Sequence, residues 1–134
     1  MTPIQPKATQ SKKTVLIVED DVFLQKAYDI KFKKEGIELL IASDGDEALT
    51  YLAKDPPDLV LLDIMLPGIS GFDVLRQIRS NEKWKSVPVV ILSNLGQAED
   101  IEKGKNLGVK EYIIKANSKI NDVIKLIRSY LDVK

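Results

Sequence analysis

A chain of 134 residues, 44% hydrophobic and 30% charged, has material for one domain with its own core and is too short for two ordinary ones. Lys plus Arg and Asp plus Glu number 20 each, so the overall charge carries no footprint of a nucleic-acid binder, and no direct contact with nucleic acid is expected. Cys and His are both absent, which excludes disulfides, thiolate or imidazole metal sites, and catalysis by either side chain. The remaining chemistry belongs to carboxylates, hydroxyls, Lys and backbone oxygens. No stretch approaches the ~18 consecutive apolar residues of a membrane span, and the first residues hold no signal-peptide core. No membrane insertion and a cytoplasmic location are expected.

Met1 to Lys13 has two Pro, three Lys and little to bury, and reads as a flexible tail; residues 14–134 are left as the folded unit. Thr14 to Val18 is a β-branched apolar run, the first strand, ending in Glu19-Asp20-Asp21. From Val22 a helical pattern follows, with Leu24, Ala27, Tyr28 and Phe32 on one face, and Gly36 ends it. Ile37 to Ala42 is a second strand. After the Ser43-Asp44-Gly45 turn, Asp46 to Lys54 reads as a helix stopped before Pro56-Pro57. Leu59 to Leu62 is a third strand that delivers Asp63 and breaks at Pro67-Gly68. Gly71 to Ser80 is a helix with Phe72, Leu75 and Ile78 inward, and Trp84 falls in the polar connection that follows. Val87 to Leu92 is the fourth strand, with Pro88 near its start where a missing donor is tolerated, and it ends at Ser93-Asn94. Gln97 to Leu107 is a polar helix with sparse apolar anchors, closed by Gly108. Glu111 to Ile114 is the fifth strand and ends at Lys115. Ser118 to Val133 carries a clear apolar stripe through Ile120, Val123, Ile124, Ile127, Tyr130 and Leu131.

Five apolar strands alternating with five helices predict an α/β fold: a doubly wound, five-stranded parallel sheet, a three-layer sandwich. The flavodoxin-like strand order 2-1-3-4-5 fits, with its switch point between strands one and three. Those two strands end in Glu19-Asp20-Asp21 and in Asp63. Strands four and five end in Ser93 and Lys115, so this topology brings all of them to one edge of the sheet.

Each residue also has a plainer role: Asp20 or Asp21 as a helix cap, Ser93 as a turn residue, Lys115 as a solvated charge. Asp63, after four buried residues, needs a partner. Their joint arrival at one edge favours chemistry. Clustered carboxylates repel unless a cation joins them, and oxygen-only ligands select a hard one, Mg²⁺ with Mn²⁺ as a substitute, completed by waters and a backbone carbonyl. Such a metal leaves room for a phosphate oxygen, with Lys115 and Ser93 holding the others, which amounts to phosphoryl transfer onto an Asp.

The motifs Val18-Glu19-Asp20-Asp21, Leu61 to Gly68, Ile91-Leu92-Ser93-Asn94 and Tyr112-Ile113-Ile114-Lys115 resemble those of two-component response-regulator receiver domains, of the single-domain, CheY-like kind. The resemblance runs from Lys13 to about Leu131. It implies that Asp63 accepts a phosphoryl group from a sensor histidine kinase or a histidine phosphotransfer protein. It further implies that Glu19, Asp20, Asp63 and the Met65 backbone carbonyl bind Mg²⁺. Ser93 takes the switch-hydroxyl position, Tyr112 the switch aromatic, and Lys115 the phosphate-binding lysine. The phosphohistidine belongs to the partner, which accommodates a chain without His. Phosphorylation is expected to draw Ser93 in, let Tyr112 turn inward, and reshape the face of helix 4, strand 5 and helix 5. That face would serve a downstream protein target and is open to dimerisation.

Two departures stand out. The family places Pro after the lysine, joined by a cis peptide, where this chain has Ala116, and a cis non-prolyl bond costs ~3 kcal/mol. The rim positions two after the acceptor and two after the switch hydroxyl are the apolar Met65 and Leu95, which predicts a long-lived phosphoform. Alternatives are a phosphatase turning over at Asp63, disfavoured by Met65 where a second Asp is needed, and a docking module that is never phosphorylated. A flavodoxin-like cofactor site is disfavoured because Glu19-Asp20-Asp21 repels phosphate.

Overall fold

The computed structural model describes residues 12–132. The expected tail up to residue 11, and Val133 at the far end, lie outside the described residues. Lys13, assigned to that tail, already joins the sheet, its carbonyl accepting the Glu38 N–H at 2.9 Å.

Five strands, β1 (Thr14–Val18), β2 (Glu38–Ala42), β3 (Leu59–Leu62), β4 (Val89–Ser93) and β5 (Glu111–Ile114), pair in parallel in the order 2-1-3-4-5. The helices are α1 (Val22–Lys34), α2 (Gly45–Tyr51), α3 (Gly71–Ser80), α4 (Ala98–Asn106) and α5 (Ile120–Leu131), with a 3₁₀ turn at Lys115–Asn117. Side chains alternate across a strand, so each strand feeds two cores. Val15, Ile17, Leu59, Leu61, Val90 and Leu92 pack with Tyr28 and Phe32 of α1 and Val123, Ile124 and Ile127 of α5. Leu16, Val18, Val60, Leu62, Val89 and Ile91 pack with Ala48 of α2 and with Phe72, Leu75 and Ile78 of α3. β3 is central and wholly buried, each of its four aliphatic side chains being worth roughly 1.5–3 kcal/mol out of water. A strand flanked by β1 and β4 and covered on both faces is a rigid mount for whatever follows it.

Element ends depart from the sequence expectation where local hydrogen bonds decide them. Ile37 belongs to the turn closing α1, its N–H on the Phe32 carbonyl, so β2 begins at Glu38. β4 begins at Val89 because the Val87 N–H is taken by the Trp84 carbonyl. α2 starts a residue early, capped by Asp44 on the Glu47 N–H, and ends at Tyr51; Leu52, Ala53 and Lys54 continue as tight turns bonded three residues back. Gln97 is the cap of α4, its N–H bonded to Asp100, and Leu107 closes it. Ser118 lies before α5, its hydroxyl donating to the Ile114 carbonyl.

Two anchors lie far from the sheet edge that carries Asp63. Trp84 is 1% exposed, with its indole N–H donating to the Lys54 carbonyl at 2.9 Å. Arg79, at the end of α3, donates to four carbonyls: Lys85 and Val87 before β4, and Leu107 and Gly108 after α4. These bonds tie the C-terminal end of α4 to α3.

Gly71 has a steric reason. A Cβ there would fall far inside van der Waals contact with the carbonyl oxygen of Asp63 and 2.5 Å from Ile64 Cα, both backbone atoms that cannot swing away. The first residue of α3 therefore presses on the peptide that carries Asp63, and its N–H donates to the Ile64 carbonyl at 2.9 Å. Gly71→Ala is expected to cost about 1–3 kcal/mol despite the better helix propensity of Ala, an overpacking cost. Urea unfolding followed by Trp84 fluorescence measures it, and an unchanged or higher midpoint would contradict the close packing.

Candidate functional site at the carboxyl edge of the sheet

The residues that end β1, β3, β4 and β5 meet at one edge, as the topology requires. Glu19 follows β1 and extends it, its N–H bonding to the Ala42 carbonyl, and it is only 2% exposed. Asp20, beside it, is exposed. Asp21 is the α1 cap, accepting from the N–H groups of Phe23 and Leu24, as the capping preference predicts. Asp63 follows β3, its N–H on the Val18 carbonyl, and is 4% exposed. Glu19, Asp20 and Asp63 each offer a carboxylate oxygen within 4.8 Å of the others. These are oxygen donors alone, without nitrogen or sulfur, and the set fits a hard divalent cation.

One ammonium sits against two of the three. Lys115 Nζ lies 2.6 Å from Asp63 Oδ2 and 2.7 Å from Glu19 Oε1, with its side chain 19% exposed. The other oxygens are also engaged, Asp63 Oδ1 by the Met65 N–H at 3.0 Å and Glu19 Oε2 by the Asp21 N–H at 3.0 Å. Burial pushes the Glu19 carboxyl above its ordinary range, the bonds from Lys115 and the Asp21 N–H pull it back, and the charge of Asp63 pushes it up again. Burial pushes the Lys115 ammonium down, but its bonds to and the charges of Asp63 and Glu19 outweigh burial and hold it above its usual range.

The Lys115–Ala116 peptide is trans, so the loop reaches the site without the family's cis bond. Ala116 has an N–H where a proline would have none, and donates it to Asn94 Oδ1 at 3.0 Å. That bond fastens the lysine's loop to the end of β4. Ser93 is fully buried and pairs in register with Ile114; its Oγ accepts the Leu95 N–H at 3.3 Å. The Tyr112 hydroxyl donates to the Leu95 carbonyl. Tyr112 is half-buried and packs against the α2 and α3 side of the core, so its ring already lies inward. The Met65 side chain is 56% exposed at the mouth.

Glu19, Asp20, Asp63 and Lys115 meet at this edge, with Asp20 outside the Lys115 bridge, and Ser93 and Tyr112 are joined to each other through Leu95. Gln25 was missed, as were the contacts made by Asn94 and Leu95, which the sequence had named for other reasons. Gln25 is buried and donates to the Glu19 carbonyl at 2.6 Å and to Ser43 Oγ at 3.1 Å. Its signal was available, since 25, 28 and 32 share one helical stripe, but a Gln there reads as solvent-facing. Asn94 acts through its side chain and Leu95 through its peptide, which no residue pattern reveals.

Lys115→Met keeps the aliphatic stem and removes the charge. Breaking one side of a buried pair costs ~3–5 kcal/mol, and partial exposure reduces this to an expected loss of about 2–3 kcal/mol at pH 7 in metal-free buffer. Without Lys115 the Glu19 carboxyl rises further, so the folded state binds protons more readily than the unfolded one, and stability is recovered as pH falls. The gap to wild type should narrow between pH 7 and pH 5 in urea titrations, and a gap equal at both would contradict the charge account.

Comparison with known proteins places this geometry. The family model for the response regulator receiver domain matches residues 15–128. The DNA-binding response regulator MtrA of Mycolicibacterium paratuberculosis is 38% identical over 104 residues, covering 78% of this chain and 45% of MtrA. The chain spans under half the length of the curated relatives it matches, and the DNA-binding description is theirs. A CheY-like receiver domain protein from Methanospirillum hungatei JF-1 superimposes with a TM-score of 0.83 at 26% identity, over 91% of this chain and 95% of that one. The Mn²⁺-bound form of response regulator Rcp1 does so with a TM-score of 0.75 at 29% identity, over 87% and 90%. No helix among the described residues is long and apolar enough to cross a membrane. A parallel 2-1-3-4-5 sheet with acidic, hydroxyl and lysine groups at one edge, matched by the family model over most of its length, makes this chain a member of the response regulator receiver domain family, a signalling unit of two-component systems.

Proposed function

We propose that Asp63 is the phosphoacceptor, taking a phosphoryl group from the phosphohistidine of a sensor histidine kinase or histidine phosphotransfer protein. An Asp63 oxygen attacks phosphorus in line, the P–N bond to the donor imidazole breaks, and its electron pair stays on that nitrogen. The observation that carries this reading is the buried Asp63 carboxylate, 2.6 Å from a charged Lys115 and within one cluster with Glu19 and Asp20. Glu19, Asp20, Asp63 and the Met65 carbonyl would hold Mg²⁺, or Mn²⁺ as in Rcp1, which neutralises phosphoryl oxygens when bound.

The chain's own groups supply the rest. The Lys115 ammonium is positioned to pair with a phosphoryl oxygen once the Asp63 carboxylate has become an acyl phosphate and no longer carries its own charge. Ser93, whose hydroxyl proton is not spent on the Leu95 N–H, can donate it to another. Because Leu95 connects Ser93 to Tyr112, a movement of the hydroxyl is felt by the ring and by the face of α4, β5 and α5, which would meet a downstream protein target or a second copy. In this reading residues 14–134 form the receiver unit, the protein is cytoplasmic, and it is not a turnover enzyme: it catalyses only its own phosphorylation and dephosphorylation. The nucleic-acid contact of longer relatives is not assigned to this unit.

Incubation with acetyl phosphate and Mg²⁺ should add one phosphoryl mass to the intact protein, and neither Asp63→Ala nor metal-free buffer should give the adduct. No adduct in wild type would refute the assignment and favour a docking module. Neither Met65 nor Leu95 carries a polar side chain at the rim to orient an attacking water, so the phosphoform should outlast that of Met65→Asn or Leu95→Glu by roughly tenfold, on the scale of one general-base contribution or less. Equal decay rates would remove the rim from the account.

A further inference from the structure

Gly104 is buried near the C-terminal end of α4, and nothing in its backbone calls for glycine, because it is not among the residues with positive φ. In a helix interior glycine is a poor choice, since it gives up more chain entropy than alanine. The reason is steric. A Cβ at Gly104 would lie 2.9 Å from Cδ2 and 3.3 Å from Cε2 of Tyr112, and 3.1 Å from Cδ1 of Ile91. The absent methyl group is the space the Tyr112 ring fills.

The other end of that ring is held too. Its hydroxyl donates to the Leu95 carbonyl, while the N–H of the same residue donates to Ser93 Oγ. The ring is therefore gripped between the bare backbone of α4 and the loop that aims the Ser93 hydroxyl. Leu95 links the two ends, since one residue supplies the acceptor for Tyr112 and the donor for Ser93.

We infer that Gly104 is a positioning residue of the switch: its uncovered backbone is the seat that lets Tyr112 lie inward, and the seated ring steadies Leu95 and with it the Ser93 hydroxyl that would donate a hydrogen bond to the phosphoryl group on Asp63. A methyl at 104 has two close neighbours, and the ring is the one free to swing out about χ1. Displacing it releases the Leu95 carbonyl and loosens the loop carrying Ser93. The seat stands on geometry alone, whereas its effect on phosphoryl capture rests on the phosphoacceptor reading above. By linkage, the factor by which the inward ring strengthens binding of a phosphoryl-like ligand is the factor by which that ligand favours the inward ring, so a variant that depopulates the inward ring weakens the ligand.

A cycle of wild type, Gly104→Ala, Tyr112→Ala and the double variant, each as the full chain, tests both halves. In urea titrations read by Trp84 fluorescence, alanine should raise the midpoint in the Tyr112→Ala background, where the space is vacant, and should lower it or leave it unchanged where the ring is present. A fluorotyrosine NMR signal assigned to Tyr112 should move toward its solvent-exposed position in Gly104→Ala. Beryllofluoride with Mg²⁺, followed by ¹⁹F NMR, should bind Gly104→Ala about tenfold more weakly than wild type, within the usual range of allosteric coupling, and should show no such difference in the Tyr112→Ala background. A general loss of packing would weaken both backgrounds alike.

Equal midpoint shifts in the two backgrounds would overturn the seat, as would failure of the double variant to fold. Folding of the double variant but not of Gly104→Ala would support it. Coupled midpoints with unchanged beryllofluoride affinity would overturn the link to Ser93. Wild type that binds no beryllofluoride would overturn the phosphoacceptor reading and the link together, and the midpoints would still decide the seat.

Discussion

Two carboxylates removed from water at the edge of a sheet are held by one ammonium. Glu19 and Asp63 are each almost wholly buried, and each would repel the other; Lys115 lies within 2.7 Å of both, and they hold it above its usual range against burial. Several neighbours at this edge support that arrangement. Gln25 fixes the peptide of Glu19, the Ala116 N–H and Asn94 fix the loop of Lys115, and Gly71 lets α3 start against the peptide of Asp63. The charges are mutually compensated yet not locked away, since Lys115 retains a solvent-facing fraction and Asp20 lies open beside it. A site built in this way is poised for exchange: a divalent cation relieves the carboxylates, and the ammonium is then available to a new anion.

Much of this was legible from the chain. Leu59 to Leu62 and Val15 to Val18 are apolar on both faces, which only a doubly covered parallel sheet tolerates, and the strand order then sends Glu19, Asp63, Ser93 and Lys115 to one edge. The cap role of Asp21 followed from its position just before the first helical residue. What stayed hidden was set by contacts across the fold. Trp84 stands in a polar stretch, yet its ring packs in the α2 and α3 core and its N–H meets the Lys54 carbonyl, 30 residues earlier. Gly71 and Gly104 look like indifferent glycines until the atoms facing them are known. The inward ring of Tyr112 is likewise invisible in the sequence, which places an aromatic on β5 and says nothing of its rotamer.

Ala116 shows how a departure from a family pattern is accommodated. The proline expected there would fix the loop by its ring; alanine leaves the chain freer but adds a donor, and Asn94 at the end of β4 accepts it. A covalent restraint is replaced by a hydrogen bond between two loops, worth of order 1 kcal/mol at a solvent-accessible position. Such a fastening can open and close thermally, so the lysine of this receiver is held more softly than a prolyl loop would hold it.

Arg79 gives α4 an asymmetric mounting. Four carbonyls are drawn onto one guanidinium, and two of them, from Leu107 and Gly108, close the far end of α4. At the near end, next to Ser93, the helix begins with Gln97 and a polar first turn that buries nothing. A rod pinned at one end and lightly held at the other answers a push as a lever does. Displacement grows with distance from the pivot, so a shift of a fraction of an ångström in the Ser93 loop would emerge as rotation of the α4 surface about Arg79 rather than sliding of the helix along the sheet.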